Sequence, residues 1–125
     1  MNRVELIAQL AVLKSTYADT GEDMDTLCGH FQYELDHDEV VWIEKDGQVV
    51  AFADFSWIKD PEDVNRPSKE RHSGPVLLVI NLVVTKPSLI WEIKRLLPKH
   101  KWIAGNHDGK IHAPKGWPAH EEVAA

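Results

Sequence analysis

The chain of 125 residues has one cysteine, Cys28, so no disulfide can form within it and a small cross-linked secreted scaffold is excluded. A lone cysteine suits a reducing compartment, and a cytoplasmic location is the expectation. Long hydrophobic runs are also missing. The longest, Val76–Val84, is broken by Asn81 and falls far short of the roughly 20 residues of a spanning helix, so no membrane is expected as a partner. The opening residues Met-Asn-Arg-Val-Glu lead into a short apolar run without a small-residue cleavage site, so a secretion signal is not expected. Glycine and proline, seven of each, are scattered without period, which excludes collagenous and low-complexity chains.

What the chain has is charge, unevenly spread. Its net charge is −6, yet residues 1–63 carry 15 acids and 4 bases, and residues 64–125 carry 5 acids and 10 bases. Five of the seven histidines also lie in the second half. A basic half suits an anion site for a phosphate, a phosphorylated cofactor or nucleic acid, or else the two halves neutralise each other. The overall acidity opposes tight non-specific DNA binding.

Hydrophobic spacing predicts a helix over 4–18, with Val4, Ile7, Ala11 and Lys14 in one row and Leu6, Leu10, Leu13 and Tyr17 in the next, stopped at Gly21. Asp23 or Asp25 caps a second helix through Leu27, Cys28, Phe31 and Leu35, in which Cys28 reads as core. Its acidic end (Glu34, Asp36, Asp38, Glu39) opposes the helix dipole, so it stops between Tyr33 and Asp36. His30 and His37 read as part of a solvated acidic face. Asp46-Gly47 then marks a type I′ turn between a strand at 40–44 and a return strand at 48–58.

Residues 59–75 are polar, hold three prolines and form a long loop, a lid candidate. Val76–Val84 reads as a central strand buried on both faces. Pro87 suits the first position of a helix over 88–97, with Thr85 or Lys86 at the cap and Leu89, Ile93, Leu96 and Leu97 facing the sheet. A strand at 101–105 follows, then an Asp108-Gly109 turn into a short return at 110–112 and a patternless tail over 113–125. The expectation is one α+β domain, a mixed, mostly antiparallel sheet with helices packed on it.

Asp54 lies inside an apolar strand, with Phe52 and Ser56 on its face; it is either a general base or substrate anchor, or else an edge position in water or a structural ion pair. Asn81 interrupts the most apolar strand, where it marks a bulge, faces a cleft, or sits satisfied in the core. His107, with Asn106 and His112 around a turn, is the candidate for proton transfer, against a plain polar turn. No metal is expected, because His100, His107, Asp108 and His112 match no ligand spacing. Of five tryptophans, Trp42, Trp57 and Trp91 are read as core; Trp102 and Trp117 flank the basic segment 99–115, where stacking on bases is an option.

This order of elements resembles the Gcn5-related N-acetyltransferase (GNAT) family over roughly residues 4–105. The segment Asp46-Gly47-Gln48-Val49-Val50-Ala51-Phe52-Ala53 is similar to the family's hairpin, and Leu82-Val83-Val84 to its third conserved strand. Small members carried by bacteriophages look most alike. The resemblance implies an acyl-CoA N-acyltransferase-like fold and transfer of an acyl group from acetyl-CoA or another acyl-CoA to an amine. It implies cofactor contacts at Val83, Thr85, Lys86 and Ser88, with Asp54, Asn81 and His107 as catalytic candidates. The family's glycine-rich pyrophosphate loop is replaced by Thr85-Lys86-Pro87-Ser88, where Pro87 removes one amide donor while Lys86 and two hydroxyls remain. The alternative is a non-catalytic binding protein on the same scaffold, contacting a host macromolecule or nucleic acid.

Overall fold

Two side chains start the first two helices. Asn2 accepts from the amide of Glu5 at 2.9 Å and Asp23 from that of Thr26 at 2.8 Å, each satisfying an amide that the first helical turn leaves free. The Thr26 amide is also the main reason why the Asp23 carboxyl is held below its ordinary pKa. A computed structural model describes residues 1–18, 21–59, 63, 74–100, 102–105 and 111–112. Its elements are α1 (Arg3–Tyr17), α2 (Met24–Asp36), β1 (Val40–Lys45), β2 (Gln48–Ile58), β3 (Val76–Val84), α3 (Leu89–Leu96), β4 (Trp102–Gly105) and β5 (Ile111–His112). The chain is α+β, with strands hydrogen-bonded in the order β1-β2-β3-β4-β5.

Contacts group the chain into two units. The first holds Met1–Asp54 and Leu82–Leu97. Helix α2 ends as expected: the amide of Glu39 reaches the Glu34 carbonyl at 2.8 Å, and Asp38 takes a left-handed conformation (φ 54°). Arg3 ties the two helices together, donating to Asp36 and, at 3.3 Å, to the Gln32 carbonyl. Asp46 and Gly47 both have positive φ, as a type I′ turn requires.

The β1–β2 register runs Val40↔Asp54 to Ile43↔Ala51, then shifts to Glu44↔Val49. Val50 is the extra residue of a bulge, so Val50 and Ala51 contact one core while Val49 and Phe52 contact the other. The first core joins Leu10, Ala11, Leu13, Leu27 and Phe31 of the helices to Val40, Val49, Phe52 and Val83. Phe31 meets Phe52 edge-on, 5.2 Å between centroids at 88°, a pairing worth about 0.5–1.5 kcal/mol beyond burial. The second core sets Leu89 and Ile93 of α3 against Ile43, Ala51 and Ala53.

The second unit holds Phe55–Asn81 and Pro98–Ala125. Within it Val76, Leu77 and Leu78 are fully buried, and β3 pairs in parallel with β4 from Val76↔Trp102 to Val79↔Gly105. β5 pairs antiparallel with β4. The amide of Lys59 donates to the buried Asp63 carboxylate at 3.3 Å. Gly74 is packed against the backbone of Ile58 and Lys59, where a Cβ would meet atoms at 2.5 and 2.6 Å.

Four expectations need correction. β3 is continuously buried only over Val76–Leu78; Val79, Ile80, Asn81 and Val84 are half-buried, Leu82 is exposed, and Val83 alone returns to a core. Helix α3 begins at Leu89 with Ser88 as N-cap, so Pro87 precedes the helix rather than opening it. Leu96 is exposed because the chain turns to extended backbone at Leu97, which takes the place against the core. Trp91 is 68% exposed rather than core, because Leu89 and Ile93 already fill the buried face of α3. Cys28 is half-buried against the first core. Most of the 59–75 loop, the 108–109 turn and the 113–125 tail lie outside the described residues.

Candidate functional site

Two places in the first unit gather polar chemistry. One is inside it. Asp54 follows Phe52 on the β2 face turned to α1 and α2, and is 2% exposed. Opposite stand Lys14, in the apolar row of α1 and 7% exposed, and Glu34, one turn beyond Phe31 on α2. The Lys14 ammonium lies 5.8 Å from the Phe31 ring centroid, a cation–π contact that helps hold a charge in the core. Burial, then the charge of Asp54 and a hydrogen bond with it, push the Glu34 carboxyl up to about 10; Lys14 pulls the other way. Glu34 is therefore a neutral acid near pH 7, linked to Asp54. Its Oε1 is buried with no hydrogen-bond partner.

The second place is the turn from β3 into α3. The Thr85 amide donates to the Val50 carbonyl at 3.0 Å, so the β2 bulge takes one donor away from any ligand. The Leu89 and Ile90 amides close on the Lys86 and Pro87 carbonyls at 3.0 and 3.2 Å. Pro87 has no amide hydrogen. The Lys86 and Ser88 side chains are exposed, and the Ser88 hydroxyl makes no capping bond. An anion can therefore meet one ammonium, one hydroxyl and the turn's unspent amides. This fits a phosphate group, with fewer backbone donors than a glycine-rich loop would offer.

Within the first unit the sequence candidates fall at two places. Asp54 belongs to the internal cluster with Lys14 and Glu34. Val83 is buried in the first core, leaving only its backbone for a ligand. Thr85, Lys86 and Ser88 share the β3–α3 turn. Asn81 is half-buried on the part of β3 in the second unit. His107 lies outside the described residues.

Sequence reasoning missed Lys14 and Glu34. The signals were present: Lys14 shares a row with Ile7 and Ala11, and Glu34 follows Leu27 and Phe31 at i+7 and i+3. Among the described residues no group of three or more His, Cys, Asp or Glu could hold a metal ion. Nor, among them, is any helix long and apolar enough to cross a membrane. No protein-family model matches this chain, and no curated protein matches it.

Proposed function

We propose that the chain binds an acyl-coenzyme A at the carboxyl end of β3 and transfers the acyl group to an amine. The supporting observation is the passage from β3 through α3 into β4, with β3 and β4 parallel and Lys86 and Ser88 exposed where β3 ends. A helix start just past a strand's carboxyl end favours an anion through its positive pole and whichever amides the turn leaves unspent. Lys86 and Ser88 would hold the donor's phosphates. The thioester supplies the activated acyl group, and the chain's contribution is to hold amine and donor together.

The attacking amine must lose a proton. Asp54 is committed to a buried cluster with Glu34 and Lys14, which fits a structural role better than that of a base. Proton acceptance falls to His107 or to solvent.

One observation favours a second reading, a non-catalytic binding protein on this scaffold: the Thr85 amide is spent on Val50 and Pro87 offers none. Thermal denaturation with acetyl-CoA separates the two. Ligand at about 100 times its Kd stabilises by about 2.7 kcal/mol, so a rising Tm supports acyl transfer. An unchanged Tm at millimolar ligand removes the acyl-transfer reading and leaves the second.

A further inference from the structure

We propose that the outward face of α3 is a contact surface for single-stranded nucleic acid, with Trp91 as a stacking platform and Lys94 and Arg95 as phosphate contacts. The ring of Trp91 is 68% exposed, on a helix whose apolar face is already filled by Leu89 and Ile93. A large aromatic side chain left in water is unusual where a buried alternative exists on the same helix. Lys94 and Arg95, three and four residues on, are both exposed and share its face. The Lys94 ammonium lies over one side of the indole, 5.1 Å from its centroid, so the ring and a cation are held next to each other.

The charge of this face is cationic although the chain as a whole is at −6. Its one acid, Glu92, is engaged by Lys45 of β1 at 3.5 Å. Lys86, exposed at the foot of the helix, extends the cationic track. The alternation of a π-surface with cations suits a flexible strand, whose bases stack while its phosphates pair with the cations. A lipid surface is disfavoured, because interfacial binding needs a broad free apolar face and α3 has buried its own in the core.

This surface is independent of the acyl-coenzyme A reading, since its test residues lie outside the β3–α3 turn. The test is fluorescence anisotropy of a labelled oligothymidylate of about 20 nucleotides against the full chain over a salt series. The wild type is expected to bind more weakly as salt rises. Trp91→Ala should weaken binding about tenfold and leave the salt slope unchanged, since stacking carries no counterion release. Lys94→Gln with Arg95→Gln should weaken it and reduce the slope by roughly 1.4. These side chains are exposed, and an unchanged Tm in each variant shows that the fold is kept. Absence of binding at low salt overturns the proposal, as does binding that these substitutions leave unaltered. Association with phosphatidylserine vesicles but not with the oligonucleotide overturns it in favour of a lipid surface.

Discussion

Glu34 of α2 and Asp54 of β2 form a buried carboxyl–carboxylate pair in which Glu34 keeps its proton near pH 7. The pair pins α2 to the sheet through a polar contact inside an otherwise apolar layer, beside Lys14 and Phe31. Such a pair lowers stability relative to an apolar filling, but it tolerates few alternative alignments of helix on strand.

A pH dependence follows from it. The Glu34 carboxyl is pushed from 4.5 to about 10 on folding. Between those values the native chain holds a proton that the unfolded chain has released. Its contribution is therefore most favourable below about pH 4.5, falls as pH rises, and levels off above about 10. The slope from this one group is at most about 1.4 kcal/mol per pH unit. Urea denaturation at pH 6 and pH 9 should show Glu34→Gln losing less stability than the wild type over that interval. Equal losses in both would show that Glu34 carries no retained proton.

Gly74 sits where no side chain fits. Because the atoms that a Cβ would meet are backbone atoms of Ile58 and Lys59, they cannot rotate away. Gly74→Ala should cost about 1–3 kcal/mol in chemical denaturation. A loss below a few tenths of a kcal/mol would mean that this segment shifts freely.

Asp38 closes α2 with a positive φ of 54°. Glycine takes that conformation without the Cβ clash, so Asp38→Gly should stabilise by about 1 kcal/mol. The gain should be read as a higher urea midpoint at unchanged m-value.

Gln9 of α1 grips the hairpin with both ends of its amide, accepting from the Val49 amide at 2.7 Å and donating to the Gly47 carbonyl at 3.2 Å. Gln9→Ala leaves the half-buried Val49 bond unmade and should cost about 1–3 kcal/mol. Faster hydrogen exchange at the Val49 amide should accompany the loss.

These residues also show what could be read from the sequence. Helix α1, the Asp46-Gly47 turn and β3 were legible because each is a local pattern: apolar spacing, turn chemistry, an apolar run. The limits of α2 were legible from Asp23 and the acidic end. The role of Glu34 was not, because an acid one turn past Phe31 reads equally well as a frayed polar terminus; only β2 folding back with Asp54 makes it internal. Trp91 was misread for the converse reason. Hydrophobicity predicted burial, whereas the buried face of α3 was already filled by Leu89 and Ile93. The loss of the Thr85 donor depends on the bulge at Val50, a register feature that no local pattern announces.

The most direct test of acyl-coenzyme A binding at the end of β3 is an amide NMR titration of the full chain with acetyl-CoA. Binding there should give saturable shifts centred on Lys86, Ser88 and Leu89, weakened by Lys86→Gln together with Ser88→Ala. Shifts that are absent at millimolar ligand, or that centre elsewhere and ignore those substitutions, would contradict it.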